Sequence, residues 1–287
     1  MNKPIHITEC PRDAMQGIKA FIPTELKIEY INQLLQCNFD VLDFGSFVSP
    51  KAIPQLHDTA LVLSKLNLNQ RTKLLAIIAN ERGVHDACVH EEITYLGFPF
   101  SVSETFQLRN TNTTINQSLH TIDALQALCS KHNKQLLVYL SMAFGNPYGD
   151  VWHQDIVTQH AETLANMGVQ HIALADTVGC STPHNITQLL STVMPQLPKV
   201  SIGAHLHSTL ATIEQKIEAV LAAGCTRIDT AIKGYGGCPM ATDELTGNVA
   251  TEVVLNYLAK NSFTSSIDAP AFANSLALSS KVFETYH

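Results

Sequence analysis

The chain has 287 residues, long enough to bury a sizeable core in one large domain or two small ones. Hydrophobic residues make up 45% and charged ones only 15%, below the roughly 25% usual in soluble proteins, which argues against a solvated tail or a coiled coil. A net charge of −7 with no Lys/Arg run disfavours a nucleic-acid or anionic-membrane surface, while a local basic patch for a small anion stays open.

The longest apolar run, residues 74–79, is far too short to span a bilayer. The start, Met1-Asn2-Lys3-Pro4, shows no apolar signal region. The seven cysteines are scattered and never form CxxC, so they read as reduced thiols, mostly small buried hydrophobes, of a cytoplasmic protein.

Strand-like and helix-like segments alternate along the chain. Residues 5–10 read as a first strand, followed by a helix entered at Pro23-Thr24 with Leu26, Tyr30, Ile31, Leu34 and Leu35 at helical spacing. Residues 41–45 form the second strand, and Ser49-Pro50 opens a helix as N-cap and first residue. Strand three is 74–79, with a short helix near 81–89, and strand four is 93–98, with a long helix near 114–132. Strand five is 136–140, followed by a helix capped by Asp150 and closed by Gly168. Strand six is 171–175, and Thr182-Pro183 starts its helix. Strand seven is 200–207; its helix carries Leu210, Ile213, Ile217, Val220 and Leu221 and ends at Gly224. Strand eight is 227–232, with a helix at 249–260 and a last one after Pro270.

Eight strands, each followed by a helix, predict a parallel sheet with helical crossovers, and the count fits a (β/α)₈ TIM barrel. The alternative, an open doubly wound sheet, lacks a GxGxxG after strand one. No linker or composition shift divides the chain, so the expectation is one domain over 1–287, a barrel at about 4–262 and a C-terminal helix at about 268–285.

In such barrels chemistry gathers at the C-terminal strand ends. Ionisable and polar residues do collect there: Arg12 and Asp13, with Gln16 and Lys19 behind; Asp43 and Ser46; Ser103 and Glu104; Asn146; Asp176. At strand seven, His205 and His207 sit two apart, so both imidazoles point the same way and can hold one metal ion. Two ordinary histidines in a loop are the plain alternative. After strand eight, Gly234, Gly236 and Gly237 lead through Cys238 to Asn248, a position that also suits a helix N-cap. The glycines suit a hinged lid.

Six stretches together make the pattern specific: Glu9-Cys10-Pro11-Arg12-Asp13-Ala14-Met15-Gln16, Ser46-Phe47-Val48-Ser49-Pro50-Lys51, Asp176-Thr177-Val178-Gly179, Ala204-His205-Leu206-His207, Gly236-Gly237-Cys238-Pro239 and Gly247-Asn248-Val249-Ala250-Thr251-Glu252. In this order the chain resembles the 3-hydroxy-3-methylglutaryl-coenzyme A lyase family of barrel metallolyases. The resemblance implies a divalent metal, Mg²⁺ or Mn²⁺, held by Asp13, His205, His207 and Asn248. It implies that Arg12 stabilises the enolate oxygen and contacts substrate, and that Cys238 belongs to the active site and returns a proton. Asp43 and Ser46 would line the substrate site, Lys19 would neutralise a substrate carboxylate or phosphate, and Asp176 and Glu252 would support the ligands from behind.

The implied reaction is retro-Claisen cleavage of the acyl-CoA to acetyl-CoA and acetoacetate, as in leucine degradation or ketone-body chemistry, with Asp13 and His205 both candidates for the base. A homodimer is also implied. The chain departs from the family pattern at Ala14, Asp43, Asn146 and Ser208 and by one extra residue between Cys238 and Asn248. Rival readings are a lyase for a related 3-hydroxy-acyl-CoA, a barrel condensing acetyl-CoA with a 2-oxo acid, an amidohydrolase-type HxH enzyme, and a silent acyl-CoA binder.

Overall fold

A computed structural model describes residues 4–237 and 246–286. The elements run β1 (His6–Glu9), α1 (Pro11–Gln16), α2 (Thr24–Gln36), β2 (Val41–Ser46), α3 (Thr59–Leu63), β3 (Lys73–Ile77) and α4 (Glu81–Cys88). They continue with β4 (Ile93–Ser101), α5 (Glu104–Thr111), α6 (Ile115–Lys131), β5 (Gln135–Ser141), α7 (Gln154–Asn166), β6 (His171–Asp176) and α8 (Pro183–Gln196). The series closes with β7 (Ser201–Leu206), α9 (Ile213–Ala222), β8 (Arg227–Thr230), α10 (Thr251–Lys260) and α11 (Ala269–Phe283). The eight strands pair in sequence order into a closed barrel, sealed where β1 runs parallel to β8 from His6↔Arg227 to Glu9↔Thr230. This is the predicted (β/α)₈ architecture.

Two separate apolar clusters follow from the strand pleat. Outward-facing residues such as Ile7, Leu42, Leu74 and Leu174 pack against the helices in one large core. Leu75, Ile77, Leu137, Tyr139 and Ala173 form a small second cluster inside the barrel. Strands buried on both faces explain the continuous apolar runs that stood in for alternation in the sequence.

Local differences from the expected elements have identifiable causes. Ser49-Pro50 opens a turn, not a helix: Ala52 and Ile53 N–H groups both close on the Ser49 carbonyl, and the α-helix starts only at Thr59. Asp150 is not the cap of α7, which starts after His153; its carboxylate accepts from Ser103 Oγ at 2.5 Å and from Thr105 Oγ1 at 2.8 Å. Asn248 is not the cap of α10 either, since that place falls to Ala250.

Glu9 ties the seam together. It is fully buried, and it accepts from Ile232 N–H at 2.8 Å and from Thr251 Oγ1 at 2.6 Å, joining the end of β1 to the chain beyond β8 and to α10. Burial pushes its carboxyl up from 4.5 to about 8, against hydrogen bonds that favour the ionised form. A carboxyl with a higher pKa when folded holds its extra proton only in the folded state, so its contribution to stability falls as pH climbs from 4.5 to about 8. The Glu9→Gln variant is therefore expected to lose less stability than the parent over that window. Denaturant melts at several pH values check this, and parallel curves would refute it.

Candidate active site

Asp13 is the hub of the C-terminal mouth. Its place on the short helix α1 turns its carboxylate back over the barrel, where it is almost completely buried. One oxygen accepts from Arg12 Nη1 at 2.9 Å and Gln16 Nε2 at 2.8 Å; the other accepts from Asn248 Nδ2 at 2.6 Å. Burial raises the cost of the charge, but Arg12 and the two histidines outweigh it and hold the carboxyl down to about 2.

Arg12 is clamped from its other edge by Asp43 at the end of β2. Nε donates to both Asp43 oxygens, at 3.2 and 3.0 Å, and Nη2 to one at 2.5 Å. Asp43 has no exposed surface; burial pushes its carboxyl up and the charge and hydrogen bonds of Arg12 pull against that rise. A guanidinium gripped in this bidentate way keeps one orientation.

His205 and His207 both face the mouth from β7 and the residue beyond it, as their spacing requires. His205 Nδ1 lies 3.2 Å from Asp229 Oδ2 on β8, which fixes the ring so that Nε2 points away. Burial opposes its charged form, but the hydrogen bond and charge of Asp229 win and raise its pKa. Burial and the neighbouring His205 push His207 down to about 4. Neither ring nitrogen of His207 has a hydrogen-bond partner among the described residues.

Ligand atoms of Asp13, His205 and His207 all lie within 4.8 Å of one another. An orphaned, neutral, buried imidazole beside an ionised carboxylate is costly unless a cation completes it, so these residues fit a divalent metal ion. Asn248 is brought alongside by a backbone bridge to His207 and a 2.8 Å hydrogen bond from Ser208 N–H to the Gly247 carbonyl. Its amide nitrogen donates to Asp13 and, at 2.9 Å, to the Tyr235 carbonyl; as a ligand it would present its oxygen instead, a half-turn of the amide. Gly236 (φ +102°) passes directly over this pair: a Cβ there would meet Asn248 Nδ2 at 2.6 Å and Asp13 Oδ2 at 3.0 Å.

The other expected residues divide. Asp176, at the end of β6, accepts from Lys216 Nζ at 2.9 Å, and that same Nζ donates to the His207 carbonyl at 2.8 Å. Asp176 thus reaches the histidine pair through a lysine. Glu252 accepts from Lys233 N–H at 3.0 Å and so anchors the base of the glycine-rich segment, away from the ligand atoms. Ser46 is spent on a turn: Oγ accepts from Val48 N–H at 3.1 Å. Lys19 is exposed beyond α1. Cys238 and most of the lengthened segment lie outside the described residues.

Sequence reasoning missed Asp229, Lys216 and Tyr139. Asp229 was signalled by strand alternation, being an acid on the inward face of β8. Lys216 was signalled as the one cation among Ile213, Ile217 and Val220 on the apolar face of α9. The Tyr139 ring meets His205 edge-on at 5.3 Å, and its buried hydroxyl has no partner among the described residues.

These side chains gather a buried carboxylate–imidazole cluster beside a fixed guanidinium at the mouth of a TIM barrel, the class of arrangement an enzyme uses. A family model described as HMGL-like matches residues 4–278, and the chain belongs to this family. It is 33% identical over 261 residues to the cytoplasmic 3-hydroxy-3-methylglutaryl-CoA lyase of Rattus norvegicus, covering 90% of this chain and 75% of the relative. It is 32% identical over 251 residues to the hydroxymethylglutaryl-CoA lyase of Bacillus subtilis, covering 86% of this chain and 82% of the relative. Among solved structures, an HMG-CoA lyase from Acinetobacter baumannii in complex with coenzyme A and 3-methylmalate superimposes with a TM-score of 0.91 at 28% identity, covering 98% of this chain and 92% of that one.

Because a partner behind a ligating imidazole sets its orientation and basicity, Asp229→Asn is expected to weaken Mn²⁺ binding roughly 10–100-fold with little loss of fold. Titration followed by electron paramagnetic resonance measures this. Unchanged affinity would remove Asp229 from the site's support.

Proposed function

We propose that this chain cleaves 3-hydroxy-3-methylglutaryl-CoA to acetyl-CoA and acetoacetate. The observation that carries the reading is the Asp43–Arg12–Asp13 chain of ion pairs ending on the two histidines. It sets a fixed positive group beside a cation site, as cleavage next to a thioester demands. A divalent ion on Asp13, His205, His207 and Asn248, Mg²⁺ or Mn²⁺ by the mixed oxygen and imidazole donors, supplies Lewis acidity when bound.

The chain's own groups do the rest. The substrate's tertiary hydroxyl gives its proton to a basic group of this cluster, with Asp13, held ionised, and His205, oriented by Asp229, as the two candidates. The C2–C3 bond breaks, the hydroxyl carbon becomes the ketone of acetoacetate, and the electron pair passes to C2 and the thioester oxygen. Arg12 meets the charge developing on that oxygen; because Asp43 already holds the guanidinium, no reorganisation is needed as the bond breaks. Asp43 thus acts as a positioning residue. Protonation at C2 completes acetyl-CoA, and we assign that proton to Cys238 or a group it positions. Lys19, exposed beyond α1, is the further substrate contact we propose.

No helix among the described residues is long and apolar enough to cross a membrane. We read the chain as a cytoplasmic homodimer acting on an acyl-CoA without nucleic-acid or membrane partners; the resemblance and the reduced thiols support this, and light scattering tests the dimer.

Purified protein with Mg²⁺ or Mn²⁺ is expected to release acetoacetate from the named thioester, to lose activity in EDTA and to regain it on adding either ion back. Absence of acetoacetate with every divalent ion would overturn the substrate assignment. Separately, Arg12→Gln is expected to lower kcat by about 10²–10³ while KM changes less. Undiminished turnover in that variant would remove Arg12 from enolate stabilisation.

A further inference from the structure

A cavity of about 460 Å³ opens at the opposite, N-terminal end of the barrel, within the roughly 300–1,000 Å³ range of small-molecule sites. It is lined by residues at the strand starts together with Arg71, Met194 and Gly224 from the segments between them. Its charge is one-sided. Arg71, Lys73 and Arg227 line it, and none of the three has a carboxylate partner among the described residues. The one acid on its wall, Asp40, is already engaged, with His6 Nδ1 at 2.9 Å and Ile7 N–H at 2.9 Å.

Arg227 is built into the wall. Nη2 donates to the Ile172 carbonyl at 2.7 Å and Nη1 to Ser201 Oγ at 3.1 Å. The glycine at 203 makes room for it, since a Cβ there would stand 2.3 Å from Nε. That Nε is buried and has no hydrogen-bond partner among the described residues. Three cations without a carboxylate partner give this end of the cavity a positive potential that an anion would neutralise. Burial, with Arg227 beside it, pushes His171 down to about 4, so its ring borders the cavity without charge. Val41, Leu137 and Met194 give the cavity an apolar wall as well.

We propose that this lower mouth is a binding site for a short-chain organic acid, its carboxylate held by Arg227, Lys73 and Arg71 and its carbon chain against Val41, Leu137 and Met194. The apolar wall favours an organic acid over a bare inorganic anion. The site is separate from the upper mouth and does not depend on the lyase reading.

Calorimetric titration of the full chain with succinate, at constant ionic strength, is expected to show one saturable site. Inorganic phosphate should bind about tenfold more weakly, and butane-1,4-diol not at all. Arg71 and Lys73 are exposed and make no side-chain hydrogen bond or ion pair among the described residues, so the double variant Arg71→Gln/Lys73→Gln is expected to fold, to keep its turnover and to bind succinate about tenfold more weakly. Lys73→Arg should retain binding, and Asp13→Asn, at the upper mouth, should leave it unchanged. No saturable binding, equal affinity in the double variant, loss of affinity in Asp13→Asn, or diol or phosphate binding as strong as succinate would each overturn the proposal.

Discussion

The upper mouth depends on one shared carboxylate. Asp13 takes hydrogen bonds on both oxygens, from groups that arrive from opposite sides of the barrel seam: Arg12 and Gln16 from the β1 side, Asn248 from beyond β8. In a low-dielectric setting each of these bonds is strengthened by the charge it meets, and the charge is tolerable only because all are present. The interaction therefore closes the top of the barrel and, by the same geometry, assembles the carboxylate–imidazole cluster. Structure and chemistry are not separable at this position.

Around that hub, the supporting side chains act by restricting orientation. Asp43 grips Arg12 along one edge through Nε and Nη2, Asp229 holds His205 by one nitrogen, and Lys216 spans from the Asp176 carboxylate to the His207 carbonyl. Each link joins a strand end to a neighbouring strand end or to the helix packed beside it. The rigid sheet thus lends its precision to side chains at its rim, where a loop alone would leave them loose. Gly236 shows the same economy from the other side, because only a residue without a Cβ can lie this close to Asp13 and Asn248.

The barrel, the histidine pair and Asp13 were legible in the sequence because each rests on local periodicity: eight apolar runs, alternation within a strand, and polar residues just past strand ends. What escaped depends on which distant residue a side chain meets. Asp229 and Lys216 find partners 24 and 40 positions away, a relation set by barrel closure and invisible to any short window. Helix α1 is not among the expected helices, because six residues are too few to show a helical stripe. Ser49-Pro50 misled because a serine-proline pair starts turns as readily as helices, and tertiary packing delayed the helix to Thr59. Asp150 looked like a cap yet serves Ser103 and Thr105, since a short acidic side chain bonds whichever free donors the fold brings near.

The fit between Gly203 and Arg227 has a consequence for how this chain can vary. The guanidinium occupies the volume that any side chain at 203 would need, on the strand next to its own. The two positions therefore share a single space, and a side chain at 203 would force the guanidinium to move. Substitutions there are expected to be non-additive, because a methyl group at 203 would have to displace the guanidinium from its bonds to Ile172 and Ser201. The floor of the barrel is thus governed by a pair of residues that no reading of either alone would reveal.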